Sequence, residues 1–418
     1  MNILSFKNLN FNEIYEKDST ERNIGYSLFK NIILIGRNNF YPNILLYSEN
    51  ILLSPYDEKI MSLNKDSFYD DNLYHLEIKE NNNKIIIENP VFFFIYNFDN
   101  YYHFLYDTLP YLFTFLELKK TIPNLKILVN YPNKCKNEFY KFNTEILEKI
   151  IDINDLIIHN ENNIYKDVFV SSSLTHGGYS NNPPRKEIYK IYDLIKNNID
   201  YKKINKKYEN YKKIYISRRT LINNDKSNIG TDYTSRRKMT NENDLVEKLN
   251  YNGFNEIFAE NLNTDEKIYL FSNAEIIIGS IGGGMANLLF SKNNTKTIVI
   301  VSPFFLDINY RFKYSMEDTN IKYISDVNTY VEYNKIPLYC RILIIDKKNE
   351  YFEKYGEITE YDKELNKYLI NISNNDVAGF NNNVQFNKEW FLENQFTLLD
   401  NGLNSPYFVN IDKIIELL

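Results

Sequence analysis

The stretch EIIIGSIGGGMANLLF, residues 275–290, holds four of the chain's 13 glycines, Gly279, Gly282, Gly283 and Gly284, directly behind a short apolar run. A strand that runs through a glycine loop into a helix presents main-chain N–H groups and the positive end of the helix dipole to an anion. Missing side chains let a phosphate reach the backbone. Gly282, Gly283 and Gly284 are therefore candidates for a diphosphate seat; a tight turn with close helix-to-strand packing would use the same residues. The loop has neither the full dinucleotide fingerprint nor the G-K-[ST] of a phosphate-binding P-loop, which disfavours a nicotinamide enzyme. Two arginine pairs fall upstream, Arg218 and Arg219 at the end of the strand KIYISR, and Arg236 and Arg237 before the helix NENDLVEKLNYNG. Guanidinium forks in such loops can grip phosphate oxygens two at a time.

A second constellation lies in YYHFLYDTLP. His103 and Asp107 are four residues apart, so on a helix they share a face with Cβ atoms about 5–6 Å apart. The carboxylate could take a proton from an acceptor hydroxyl while the imidazole orients it. A hydrogen-bonded pair that merely secures the helix entry fits the same spacing. Asp70 and Asp71, in YDDN, read as turn residues and not as a metal site.

These groups need strands and helices to hold them. Residues 1–100 alternate short apolar runs with Asn- and Asp-rich turns, the rhythm of strands. From Asn100 the apolar spacing becomes helical, and then LKILVNY, NEFYKFNTEILEKII, DLIIHN, DVFVSSS and a helix from Arg185 to Lys203 alternate. The polar run 197–213 predicts a domain boundary. Beyond it, strand and helix alternate regularly through KTIVIVSP, which predicts βαβ units and a doubly wound, Rossmann-like sheet. The expected domains are 1–205, β-rich and then Rossmann-like; 206–340, nucleotide-binding; and 341–418, an extension closed by the strand and helix in YFVNIDKIIELL.

A net charge of -6 and a pI near 5.5 argue against nucleic acid as a partner, which calls for a basic face. The 36 tyrosines and 28 phenylalanines accompany abundant Asn, Lys and Ile, residues of A/T-rich codons, so coding bias accounts for most of them. Cys135 and Cys340 stand far apart with no companion at metal-ligand spacing, and no apolar run approaches the roughly 20 residues of a membrane span. The N-terminal stretch lacks a signal-peptide pattern. A soluble cytoplasmic protein is the expectation, with association at a membrane face left open.

The segments NYYHFLYDTLPYL, KIYISRR, RRKMTNENDLVEKLNYNGF and SNAEIIIGSIGGGMANLLF together resemble glycosyltransferase family 61, from about residue 97 to 303. Asn100, His103, Asp107, Leu109 and Pro110 occupy the family's N-x-x-H-x-x-x-D/E-x-L-P motif. Arg218 or Arg219 matches its arginine after the first strand, and Arg236, Arg237, Asn241 and Glu242 match its R-R-x-x-N-E element. Gly279, Gly282, Gly284, Asn287 and Phe290 match its glycine loop. The resemblance implies a GT-B architecture, two Rossmann-like domains facing a cleft. It implies an inverting transfer, without a cofactor or metal, from a nucleotide sugar, commonly a UDP-sugar, to a glycan or glycoconjugate hydroxyl. On that basis Asp107 and His103 are catalytic candidates. Arg218, Arg219, Arg236, Arg237, Asn241, Gly282, Gly283, Gly284 and Asn287 are candidates for binding the donor. Two departures stand out: Ile281 replaces the loop histidine, and Val301 and Ser302 stand where an acidic residue is expected. They keep a second reading alive, an inactive GT-B module that binds a glycan or a protein.

Overall fold

The computed structural model describes residues 3–5, 7–8, 12–13, 24–36, 45–48, 50–53, 75–77, 84–132, 135, 137–175, 184–219, 239, 241–301, 315, 321–324, 327–328, 336, 340–373, 387–399 and 407–418. Arg236, Arg237, Asp70, Asp71 and Ser302 lie outside the described residues. The chain divides into two compact units, one formed essentially by residues 1–200 and the other by residues 201–227 and 231–418. Both contain parallel sheet with helices in the connections, a mixed α/β architecture.

The first unit is built on a ten-stranded mixed sheet. Its strands are β1 (Lys7–Asn8), β2 (Asn12–Glu13), β3 (Gly25–Ile35), β4 (Leu46–Ser48), β5 (Ile51–Leu53), β6 (Ile85–Ile87), β7 (Val91–Phe93), β8 (Lys126–Val129), β9 (Leu156–Ile158) and β10 (Asn163–Ser171). They run in the order β9-β8-β7-β10-β3-β5-β4-β1, with β2 on β3 and β6 on β10. The four strands β9-β8-β7-β10 are mutually parallel, and β3 joins β10 antiparallel. All three residues of β7 are buried, as a parallel strand covered on both faces requires, which is why VFFF reads as an unbroken apolar run. Helical segment α1, residues 101–119, leads from β7 to β8, and α2 (Lys141–Leu147) follows β8; α3 (Tyr189–Asn197) comes after β10.

In the second unit β11 (Lys213–Ile216), α4 (Glu242–Tyr251), β12 (Asn255–Ile257), α5 (Thr264–Asn273), β13 (Ile276–Ser280), β14 (Lys296–Ile300) and β15 (Ile321–Ile324) form a wholly parallel sheet. Its order is β12-β11-β13-β14-β15. Helix α5 starts at a reciprocal capping box, Asn263 accepting from the Glu266 N–H at 2.9 Å and Glu266 from the Asn263 N–H at 3.2 Å, which satisfies two donors the helix itself cannot. The strands Arg341–Ile344, Tyr355–Asp362, Lys367–Ser373, Asn387–Phe391 and Phe396–Leu398 form an antiparallel five-stranded sheet around Ile342, Ile358, Tyr368, Ile370 and Phe391. The C-terminal helix α6 (Ile411–Glu416) buries Ile414 in one cluster with Val409, Leu245 and Leu249 of α4, and Ile278 of β13. Among the described residues no helix is long and apolar enough to cross a membrane.

The tyrosine-rich interior has a thermodynamic consequence. The phenols of Tyr96 and Tyr192 in the first unit and Tyr215 in the second are held well above the usual tyrosine value, chiefly by burial. Below about pH 10 such a phenol is protonated whether the chain is folded or not, so its contribution to stability is fully present. Above that pH only the unfolded chain can release the proton, and the contribution is lost as pH rises toward the folded value. The urea midpoint is therefore expected to hold steady through mildly alkaline solution and to fall beyond about pH 10. Equal midpoints at pH 9 and pH 11 would contradict this.

Candidate active site

In the first unit the chain order of the parallel strands reverses between β7 and β10, and open α/β sheets bind ligands in the crevice at the carboxyl ends beside such a reversal. The loop leaving β7 is stiffened by Asn97. Its Oδ1 accepts from the N–H groups of Asp99 and Asn100 at 3.1 and 3.0 Å, and its main-chain oxygen accepts from Thr108 Oγ1 at 3.0 Å. Asn100 then caps α1, accepting from the His103 N–H at 3.2 Å. The helix opens as α over Tyr101–His103, widens to a π-turn over Phe104–Thr108, tightens to 3-10 over Leu109–Tyr111 and resumes as α over Leu112–Lys119.

Pro110 accounts for the irregularity. It has no N–H to offer the carbonyls four and five residues behind it. The Leu105 oxygen, its partner in π spacing, instead accepts from the buried Tyr192 hydroxyl at 2.8 Å. A π-turn in an otherwise α-helical segment is frequent at functional sites, and this one contains Asp107.

Asp107 Oδ2 lies 2.6 Å from His103 Nδ1. The carboxylate side chain is 4 % exposed and the imidazole 34 %. The sequence spacing is thus realised as a direct hydrogen bond, with the ring on the outer side. A carboxylate on Nδ1 fixes the tautomer that places a lone pair on Nε2 and stabilises the imidazolium once formed. Tyr102 flanks the pair, edge-on to His103 at 5.3 Å and stacked on Tyr106 at 4.7 Å between ring centroids.

In the second unit the reversal lies between β11 and β13, the flavodoxin-like order 2-1-3-4-5. The segments leaving these two strands are Ser217–Arg218 and Ile281–Gly284, so the topology brings the first arginine pair and the glycine loop to one crevice. Arg218 Nη1 approaches the Ile281 carbonyl oxygen at 3.4 Å, and a Cβ on Gly282 would stand 3.6 Å from that nitrogen. The loop passes into a helix, as the sequence predicts, and that helix is of the 3-10 type over Gly283–Phe290.

The glycines divide by use. A Cβ on Gly279 would lie 2.6 Å from Met285 Sδ and 3.0 Å from Ile216 Cβ; on Gly284 it would lie 2.9 Å from Ile216 Cγ2. These two are required by close packing of the 3-10 helix on β11. Around Gly283 nothing stands within 4 Å of such a Cβ, so packing does not ask for glycine there.

Several candidates are engaged in holding the site. Arg219 forks onto Glu256, Nε to Oε1 at 2.8 Å and Nη2 to Oε2 at 2.5 Å, and Nη1 reaches Asn243 Oδ1 at 2.8 Å. Asn241 ties its amide to both main-chain groups of Val409, donating at 2.8 Å and accepting at 3.0 Å. The buried Asn287 donates from Nδ2 to the Gly284 oxygen at 2.8 Å, bracing the loop. Ile281 and Val301 are buried apolar residues, the former donating its N–H to the Ile300 oxygen at 2.9 Å.

Glu242, which matches the last position of the R-R-x-x-N-E element, is not among the residues expected from the sequence to bind the donor. Its buried Oε1 accepts from the Tyr215 hydroxyl at 2.9 Å, Ser217 Oγ at 3.1 Å and the Arg218 N–H at 2.8 Å. The end of β11 is thereby fixed to the start of α4, and with it the root of Arg218. A carboxylate is also favoured there by the helix dipole. Among the described residues, no group of three or more His, Cys, Asp or Glu side chains is placed to hold a metal ion.

Residues 101–298 match the family model described as Glycosyltransferase 61. The match begins on the helix that carries His103 and Asp107 and ends on β14, so that pair and the crevice of the second unit fall inside it. No curated protein matches the chain.

Proposed function

We propose, from the match of residues 101–298 to the glycosyltransferase 61 family model, an inverting transfer of sugar from a nucleotide-sugar donor, a UDP-sugar by preference, to a hydroxyl of a glycan or glycoconjugate. In this reading the chain is a GT-B enzyme whose second unit holds the donor and whose first serves the acceptor. The observation that carries it is the crevice at the end of β11 and β13, where the Arg218 guanidinium lies beside Gly282 and the position next to it, Gly283, is open.

The donor's diphosphate sits against the N–H groups of Gly282 and Gly283 with Arg218 as its cation. These groups, and no bound metal, take up the charge of the departing nucleoside diphosphate. Arg219, Asn241, Asn287 and Gly284 support the crevice, through Glu256, Val409, the loop oxygen and Ile216. Arg236 and Arg237 remain proposed donor ligands on their place in the sequence and on the resemblance.

For the acceptor, exposure exchanges the roles expected from the sequence. The reachable group is His103, and the buried one is Asp107. His103 Nε2 takes the hydroxyl proton as the acceptor oxygen attacks the anomeric carbon from the side opposite the leaving group. The new C–O bond forms, the bond to the diphosphate breaks, and the diphosphate departs with the electron pair. Asp107 holds the imidazole in place and balances the imidazolium.

Gly283→Ala and Gly284→Ala separate the seat from the packing. Gly283→Ala is expected to melt with the wild type yet lose the rise in melting temperature that UDP gives by binding the native state. Gly284→Ala is expected to melt earlier, by about 1–3 kcal/mol of overpacking. A full UDP shift in Gly283→Ala would remove the diphosphate from this loop. The inactive-module reading retains one observation, the apolar Ile281 and Val301 where the family has polar groups. It would be favoured by glycan binding without turnover of any nucleotide sugar.

A further inference from the structure

The second unit carries a groove of about 930 Å³ that shares Asn241 with the support of the donor crevice and is otherwise lined by residues outside it, within the roughly 300–1,000 Å³ typical of ligand sites. One wall is a single face of α4, where Asp244, Lys248 and Tyr251 recur at helical spacing with Glu247 beside them. The other is the C-terminal strand and the start of α6, with Phe408 and Asp412. Two of these side chains are large, aromatic and turned to solvent: Tyr251 is 92 % exposed and Phe408 51 %. Phe408 stands out because its strand neighbour Val409 is buried in the core. Neither ring is needed there by packing.

The chemistry of the lining restricts the occupant. Three carboxylates, Asp244, Glu247 and Asp412, face a single ammonium, Lys248, which opposes phosphate and other polyanions. An extended peptide would seek main-chain partners, but both main-chain groups of Val409 at the groove floor are already bonded to the Asn241 amide. Recognition is left to side chains, with aromatic faces for apolar ring surfaces and carboxylates to accept from hydroxyl groups.

We propose that this groove binds an uncharged oligosaccharide, the acceptor glycan or its extended product, with Tyr251 and Phe408 as stacking platforms. The identity of the saccharide as acceptor or product rests on the transferase reading above; its binding in the groove does not.

Titration of the full chain with four neutral hexasaccharides, those of xylose, glucose in β-1,4 and α-1,4 linkage, and N-acetylglucosamine, tests this directly. At least one is expected to bind. Tyr251→Ala and Phe408→Ala are each expected to weaken it roughly tenfold, Glu247→Gln less, and all three to leave the UDP-induced thermal shift unchanged. Tyr251→Ala removes a side chain that is almost wholly in solvent, so the fold survives it. Binding of none of the four, or binding indifferent to both aromatic variants, overturns the groove. Turnover of a nucleotide sugar, measured alongside, keeps the two ideas apart. Hexasaccharide binding that needs Tyr251 in a protein that transfers nothing sinks the transferase reading alone, and turnover with binding indifferent to Tyr251 sinks the groove alone.

Discussion

His103→Ala is expected to lower the rate of sugar transfer by roughly 10²–10⁴-fold, the usual worth of a general base, while leaving affinity for the nucleotide sugar unchanged. The base must reach the acceptor hydroxyl, and of the two hydrogen-bonded groups only the imidazole has a substantial solvent-facing surface. Added imidazole is expected to restore part of the activity of His103→Ala, because a small base can occupy the space the ring has left. Asp107→Asn is expected to be slow as well, for a different reason: an amide facing Nδ1 can favour the wrong tautomer and cannot balance the imidazolium. Imidazole has nothing to replace in that variant and gives no recovery. A His103→Ala protein that turns over near the wild-type rate, beside an inactive Asp107→Asn, would return the base role to the carboxylate.

The difference in exposure between the two side chains shows where sequence reasoning stops. The four-residue spacing of His103 and Asp107 determines that they meet, because any helical geometry of this length puts both on one side. Which is buried depends on how α1 lies on the sheet, and on the widened turn that Pro110 enforces downstream. Periodicity carries no such information. The strand-and-helix rhythm after residue 213 was legible because parallel strands buried on both faces read as IYI, IIIG and TIVIV, bounded by polar or glycine signals. The strand order that brings Arg218 to the glycine loop was not, since it is a matter of which strands pair.

Local rules were also overridden. Asn241 sits where an N-cap is expected ahead of α4, and its side chain makes no capping bond; it is committed to Val409, 168 residues away in sequence. Arg219 looks as suitable for a phosphate as Arg218 until the Glu256 carboxylate, from the strand paired beside β11, is found in its fork.

The two adjacent arginines are expected to fail differently when truncated. Arg218→Ala should weaken UDP or nucleotide-sugar binding by roughly 10–100-fold, the loss of a charged hydrogen-bonding partner worth about 1.5–3 kcal/mol. The melting temperature without ligand should change less than in Arg219→Ala, whose guanidinium is forked onto a carboxylate. Arg219→Ala should do the reverse. Its fork neutralises Glu256, whose side chain is 15 % exposed, and an unpartnered carboxylate in that position costs free energy that only the folded state bears. The salt bridge is itself one-third exposed on the arginine side, so the loss is expected nearer 1 kcal/mol than the several that a fully enclosed pair would show. Affinity should then fall only as far as the shared crevice loosens. Glu256→Gln, which keeps the shape and removes the charge, should reproduce the stability loss and spare nucleotide binding. Equal affinities for UDP in Arg218→Ala and Arg219→Ala, measured by isothermal titration, would show that neither residue is the cation of the site. The glycine loop would then have to hold the diphosphate by main-chain N–H groups alone.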